Sequence, residues 1–178
     1  MVQRMCLNHP KVDNLNLLVD FKGDPEESTA LLQSALAPLR PWMSRVDREG
    51  QFHQGKLTVL ISGNRPAEEC LRSGDGERFL FLDGRLGDVY SDSDTNLVPL
   101  VSIPWHQLKI ARAFGRAEAY MKHVASKAHA QGKLVRIWGV PNKESCWASM
   151  VRGGIDLLSI DDHAKFARFV ATKQFGAI

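Results

Sequence analysis

Six apolar runs alternate with helical patterns along this chain, and the alternation is the clearest structural signal in the sequence. The runs are Leu15–Phe21, Leu57–Ser62, Phe79–Leu82, Leu97–Ile103, Leu134–Val140 and Ile155–Ile160. Each has the length of a buried strand and ends at turn residues. Strands that alternate with helices predict an α/β fold with a parallel sheet and right-handed crossovers. A doubly wound open sheet and most of an eight-stranded β/α barrel both fit, and no linker divides residues 1–178, so we expect a single domain.

Capping residues and apolar spacing predict the helices. The first helix begins at Pro25, with Asp24 as its N-cap, and ends at Pro38 and Pro41. A short helix near 67–71 and a long helix over 108–131, closed by Gly132, follow. A helix over 143–152 is capped by Asn142, and the last helix is capped by Asp161 or Asp162.

The first strand carries two charged residues at its carboxyl end, Asp20 and Lys22. Side chains alternate along a strand, so the two lie on the same side. A carboxylate at such a position can bind a hard divalent cation, and a lysine beside it can bind a phosphate oxygen. A surface ion pair at a strand end is the alternative interpretation.

Polar or aromatic residues follow every apolar run. They are Asp20 and Lys22; Ser62 and Asn64; Asp83 and Arg85; Ser102 and Trp105; Trp138 and Asn142; and Ser159, Asp161 and Asp162. In a barrel these strand ends converge on one face, whereas an open sheet gathers only those near its switch point. Such a ring suits a phosphoester or sugar pocket. As alternatives to a pocket role, Trp138 could pack in the core, and Asp83 and Arg85 could form an ion pair within a turn.

Composition excludes several classes of protein. The net charge is +3 with scattered basic residues, so a nucleic-acid partner is not favoured. Cys6, Cys70 and Cys146 follow no metal or redox spacing. No apolar run reaches the roughly 20 residues of a membrane span, and no signal peptide is visible. Phosphate-loop, dinucleotide-binding and serine-hydrolase motifs are missing from the sequence.

Five segments of the chain have a familiar order: Leu17–Lys22, Ile61–Pro66, Phe81–Arg85, Val135–Asn142 and Gly153–Asp162. Together they resemble the carboxyl-terminal three quarters of the glycerophosphodiester phosphodiesterase-like barrels. The resemblance extends to the branch named for altered inheritance of mitochondria, within the superfamily that includes phosphatidylinositol-specific phospholipase C.

The resemblance implies a TIM barrel that cleaves a small, lipid-derived phosphodiester. Cleavage would be assisted by a divalent cation, Mg²⁺ or Ca²⁺. Asp20 would be a metal ligand, where the family more often has glutamate. Lys22 would be the catalytic residue that binds the phosphate, and Trp138 would line the substrate pocket. We assign Asn64, Asp83 and Arg85 to substrate binding as well, and we expect a structural role for Asp161.

The chain departs from the family at its beginning. The family's first two strands carry a His-Arg or His-Asn element and a Glu-x-Asp element, and the chain contains neither; His9 lies where it cannot substitute. We therefore expect a barrel that contains about six βα units and lacks the family's first two. The chain would be a fragment, a truncated product or, least favoured, one half of a paired sheet.

Weak or no turnover is expected, because one carboxylate is a poor cation site. Localisation and oligomeric state stay undetermined. A non-catalytic module that binds a phosphorylated ligand or a protein is the alternative function.

Overall fold

The protein is seen here as a computed structural model that describes residues 14–72, 76–91 and 93–172. The chain divides into two compact units. The first contains the described residues up to Gly84 together with Ser93–Pro99, and the second contains the described residues 85–91 and those from Leu100 onwards. Both units combine parallel strands with helices, which confirms the predicted α/β class. Closure into a barrel and a single domain stay predictions, and Cys6 and His9 lie outside the described residues.

Three parallel strands form the sheet of the first unit, in the order β1–β4–β5. They are β1 (Leu15–Phe21), β4 (Leu57–Gly63) and β5 (Leu80–Gly84). β1 pairs with β4 from Leu15 opposite Leu57 to Phe21 opposite Gly63. All three strands were predicted within two residues of these bounds. The strand order follows the chain order, as expected for successive βα units.

The first helix, α1 (Pro25–Leu36), begins as predicted. The Asp24 carboxylate accepts hydrogen bonds from the backbone N–H groups of Glu26 and Glu27, at 3.0 and 2.9 Å. At its end the chain continues as a 3-10 helix over Ala37–Trp42. The α-helix therefore ends before Pro38 and Pro41, as predicted, and Pro38 lies in the first turn of the 3-10 helix, where its missing N–H is tolerated.

One face of the first sheet packs under the helical layer. The apolar residues of this core alternate along the strands: Leu17, Val19 and Phe21 on β1, Val59 and Ile61 on β4, and Leu80 and Leu82 on β5. Because side chains alternate between the two faces of a strand, the intervening residues point to the opposite face. Asp20, Ser62 and Asp83 are the last intervening residues on their strands, so they share that face at the carboxyl end of the sheet.

A short antiparallel hairpin, β2 (Arg45–Val46) and β3 (Phe52–His53), lies on the same unit and was not predicted. Val46 exchanges two backbone hydrogen bonds with Arg78, at 2.8 and 2.9 Å, which join the hairpin to the residues before β5. The Phe52 ring meets the Phe81 ring edge-on, with centroids 6.0 Å apart. Within the hairpin, hydrogen bonds from His53 and from the Gln51 N–H hold the pKa of Asp47 below its usual range.

Arg78 is 1% exposed and holds the segment Ser93–Pro99 against the rest of the first unit. Its guanidinium donates to the carbonyl oxygens of Leu80 and Asn96, at 3.3 and 2.8 Å, and lies over the Phe81 ring. Burial lowers the pKa of this guanidinium from its usual value. The two carbonyl contacts offset part of the cost of burying a charge.

Three parallel strands also form the sheet of the second unit, in the order β6–β7–β8. They are β6 (Leu100–Pro104), β7 (Leu134–Trp138) and β8 (Leu157–Leu158). The predicted strand over 97–103 begins three residues later than expected, after Pro99, which has no N–H for a ladder hydrogen bond.

Helices of the second unit follow the prediction with two corrections. They are α2 (Lys109–Ala113), α3 (Ala117–Ala130), α4 (Glu144–Arg152) and α5 (His163–Thr172). The predicted continuous helix over 108–131 was wrong, because Gly115 adopts a φ of 66° and separates α2 from α3. Asn142 was also wrong as a cap, since Lys143 occupies the N-cap of α4. Asp162 accepts from the Lys165 N–H at 2.9 Å and caps α5, as predicted.

Aromatic side chains anchor the two carboxyl-terminal helices. Trp147 of α4 is fully buried and meets Phe166 and Phe169 of α5, with ring centroids 5.2 and 5.4 Å apart. Asp161 donates its N–H to Asn142 Oδ1 at 3.4 Å, which supports its predicted structural role. Across the described residues, no helix is both long enough and apolar enough to cross a membrane.

Candidate functional site

Asp20 and Lys22 form an ion pair at the carboxyl end of β1. The Lys22 Nζ lies 2.7 Å from Asp20 Oδ2, and the two side chains are 81% and 54% exposed. The structure thus brings together the two residues singled out in the sequence. An exposed ion pair contributes little to stability. The pair is therefore placed where the ammonium group can meet an anion from solvent.

The turn after β4 holds the turn after β1 in place. Asn64 donates its backbone N–H to the Phe21 carbonyl oxygen at 3.0 Å. Its side-chain amide donates to the carbonyl oxygens of Lys22 and Gly23, at 3.3 and 3.1 Å. Asn64 thereby fixes the backbone that carries Lys22, so the structure gives it a positioning role.

Gly63 permits the close approach of these two turns. Its φ is 74°, a conformation that glycine adopts readily. A Cβ atom at this position would overlap Asp20 Oδ1 and the Phe21 carbonyl oxygen. The absence of a side chain at Gly63 is therefore what allows the Asp20 carboxylate to lie against β4.

Ser62 and Asp83 continue the row of polar residues across the sheet. Ser62 lies opposite Asp20 in the β1–β4 register. Its hydroxyl donates to Asp83 Oδ2 at 2.8 Å, and Asp83 is 4% exposed. Arg65 donates from its guanidinium to the Asp83 carbonyl oxygen at 3.4 Å. Since neighbouring strands lie about 4.8 Å apart, the backbones of Asp20 and Asp83 are about 10 Å apart, with Ser62 between them.

The other predicted site residues belong to the second unit. Arg85 is the exposed N-cap of a 3-10 helix over Leu86–Val89, and its N–H donates to Asp88 Oδ2 at 2.6 Å. Trp138 ends β7 and is 43% exposed, so the core interpretation of this tryptophan was wrong. Its ring lies edge-on to His106, with centroids 6.5 Å apart.

Sequence reasoning missed two of these contacts. The hydrogen bond between Ser62 and Asp83 depends on the register of β4 and β5, which the sequence does not specify. The contact between His106 and Trp138 follows from the pairing of Pro104 with Trp138 across β6 and β7. A histidine three residues after a predicted strand end was the available signal for it.

The residues at this site do not by themselves fit a divalent cation. Mg²⁺ and Ca²⁺ each require about six or more oxygen ligands, several of them usually from the protein for Ca²⁺. In residues 14–72, 76–91 and 93–172, no group of three or more histidine, cysteine, aspartate or glutamate side chains could hold a metal ion. The Asp20 carboxylate is instead engaged by Lys22. The assignment of Asp20 as a metal ligand stays a prediction.

Comparison with known proteins gives one informative similarity. Altered inheritance of mitochondria protein 6 from Eremothecium gossypii is 28% identical to the chain over 181 residues. The match covers 88% of the chain and 46% of the relative, so the chain spans about half the length of this curated protein. No family model matches the chain, and no solved structure gives a significant match. The similarity supports the resemblance to the altered-inheritance-of-mitochondria branch, and the wider phosphodiesterase superfamily stays a prediction.

Proposed function

We propose, from this similarity and from the strand-end geometry, that the chain carries the phosphate-binding edge of a phosphoric diester hydrolase. The substrate class is a phosphodiester of the glycerophosphodiesterase or phospholipase C-like type. The observation that carries the proposal is the exposed Lys22 ammonium beside Asp20 at the carboxyl end of a parallel strand. Ligands of parallel α/β proteins bind at this end of the strands.

Lys22 is the residue that we assign to the phosphoryl group. A phosphodiester carries one negative charge, and more charge develops on its oxygens as a nucleophile attacks the phosphorus. An ammonium group neutralises that charge as a point charge. The carbonyl contacts of Asn64 fix the Lys22 backbone, and the Asp20 carboxylate orients its side chain. Holding the ammonium group in place in this way is part of what electrostatic stabilisation requires.

A TIM-type barrel is the architecture that we propose for the complete protein. Within each unit the parallel strands follow one another in chain order, β1–β4–β5 and β6–β7–β8. A barrel keeps this sequential order, whereas a doubly wound sheet reverses it at the switch point. Asp83 in the first unit, and Arg85 and Trp138 in the second, are proposed to contribute to substrate binding from their strand ends.

The mechanism that we propose uses the chain's own residues. Because the described residues do not fit a cation, no step is assigned to one. Lys22 binds and neutralises a phosphoryl oxygen. Asp83 is buried and accepts a hydrogen bond from the Ser62 hydroxyl, so the two side chains link the carboxyl ends of β4 and β5.

The Asp20→Asn variant is expected to change the binding and the cleavage of a phosphodiester in different ways. The substitution removes the charge that engages Lys22, so phosphodiester binding is expected to hold or tighten, because the ammonium group loses its competing partner. Cleavage of glycerophosphocholine, followed by ³¹P NMR with added Mg²⁺ or Ca²⁺, is expected to be slow in the unaltered chain. We expect it to fall about a hundredfold in the variant, because the Asp20 carboxylate no longer orients the Lys22 ammonium group that stabilises the developing charge.

Glu69→Gln is the matched control, since Glu69 is an exposed acid in the first unit, in the 3-10 helix over Glu68–Leu71. Equal cleavage by the unaltered chain and by Asp20→Asn would contradict the role of Asp20 in hydrolysis. Binding without cleavage in every variant would instead favour the module that binds a phosphorylated ligand.

A further inference from the structure

The segment after β6 exposes an apolar pair that the proposed function does not use. Trp105–Leu108 forms a 3-10 helix that runs directly into α2. Ile110 and Phe114 are each 74% exposed, more than any other large apolar residue among those the structure describes. Phe114 is the C-cap of α2, and its N–H donates to the Ile110 carbonyl oxygen at 3.3 Å, so this last turn places the two side chains on the same side.

Three basic residues lie close to this apolar pair in the sequence. Lys109, Arg112 and Arg116 are all exposed, and no acidic residue occurs from Trp105 to Ala117. The Arg112 guanidinium stacks on the Trp105 ring, 4.6 Å from its centroid, so one of the charges is held in place. The first acid beyond the segment, Glu118, is engaged by Arg152 and Lys122 at 2.9 and 3.3 Å. These ion contacts hold the pKa of Glu118 below its usual range.

The same segment is firmly attached to its unit. Trp105 is 8% and Leu108 is 1% exposed, and both belong to the core of the second unit. The apolar pair is therefore carried on a fixed turn and is not the hydrophobic face of a helix that docks elsewhere in its unit. Two exposed apolar side chains with basic residues beside them in the sequence suit a surface that lies at the boundary of an anionic bilayer.

We propose that the segment Lys109–Arg116 binds the surface of an anionic lipid bilayer. Ile110 and Phe114 enter the boundary between headgroups and acyl chains, and Lys109, Arg112 and Arg116 contact the lipid phosphates. The charge pattern is the reason for choosing a bilayer, because cations and apolar side chains together match its anionic headgroups and acyl chains. Each basic residue near such a surface adds to the attraction, and salt weakens it.

The position of the segment indicates which side of the second unit would face the bilayer. His106 lies in the 3-10 helix directly before the segment and contacts Trp138, which ends β7. The strand ends of the second unit therefore lie next to the proposed bilayer contact. If the proposed hydrolase function holds, a lipid headgroup rather than a free phosphodiester is the source of the substrate, but bilayer binding does not depend on that function.

Sedimentation with vesicles tests the proposal on the 178-residue chain. Vesicles of phosphatidylcholine containing about a fifth phosphatidylserine are compared with phosphatidylcholine alone, at low and at high salt. We expect binding to the anionic vesicles only, with a decrease at high salt. The double variant Ile110→Ser with Phe114→Ser is expected to bind at least about tenfold more weakly, because it removes both apolar side chains that enter the bilayer.

Leu31→Ser is the matched control, since Leu31 is 65% exposed on α1, whose first turn is acidic. It should bind vesicles like the unaltered chain. No binding to anionic vesicles, or equal loss in the control, would overturn the proposal. So would a concentration-dependent dimer that the double variant abolishes without any vesicle binding, because a second copy of the chain would then cover this surface.

Discussion

Replacing Lys22 with alanine is expected to weaken the binding of a phosphodiester about tenfold, the effect of losing about 1.4 kcal/mol. Hydrogen bonds to charged groups contribute about 1.5 to 3 kcal/mol, and the high exposure of Lys22 places its contribution at the lower end. A second effect acts in the same direction. Without Lys22, the Asp20 carboxylate loses its partner and repels the incoming anion.

Lys56→Ala provides the matched control for this prediction. Lys56 is exposed and directly precedes β4, so it lies at the amino end of the same sheet. Its removal lowers the net charge by the same amount. Isothermal titration with glycerophosphocholine should show weaker binding for Lys22→Ala alone. Equal losses in both variants would mean that the overall charge of the chain attracts the ligand and that Lys22 has no special place.

Replacing Gly63 with alanine is expected to destabilise the protein by about 2 to 6 kcal/mol. The positive φ of this residue costs about 1 to 3 kcal/mol for any residue with a side chain. The added methyl group would also overlap the Asp20 carboxylate and the Phe21 carbonyl oxygen, and such overpacking costs about 1 to 3 kcal/mol. To relieve the overlap, the Asp20 side chain must move away from β4.

Gly50→Ala isolates the second of these effects. Gly50 has a φ of 84°, and a Cβ atom there would meet nothing within 4 Å. Both variants therefore carry the backbone cost, and only Gly63→Ala carries the overlap. Urea unfolding should show the larger loss for Gly63→Ala. Equal losses would show that the two turns do not pack as closely as described.

The first βα unit is the part of the fold that the sequence specified best. The apolar run of β1 agrees with its observed bounds, and Asp24 and Pro25 begin α1 as their chemistry requires. Period-two alternation also placed Asp20 and Lys22 together. These features depend on residues close in the sequence, where local physical rules decide the outcome.

Features that depend on distant residues were not predicted. The strands of the hairpin at Arg45 and Phe52 have two residues each, which is too short for any periodicity to show. The break between α2 and α3 needed a decision about Gly115, and a single glycine within a helical pattern is often tolerated. The contact between Ser62 and Asp83 required the register of two strands that are 16 residues apart in the chain.

Mapping a phosphodiester onto the chain by ¹H–¹⁵N NMR tests the central claim most directly. Glycerophosphocholine is titrated into the ¹⁵N-labelled chain, and the shifts of the backbone amides are followed to saturation. The proposed phosphate-binding edge predicts the largest shifts at residues 20–23 and 62–65, and their loss in Lys22→Ala but not in Lys56→Ala. Saturable shifts confined to other residues, such as the hairpin over 45–53, or no saturable shift at all, would contradict the assignment of this strand end as a phosphate site.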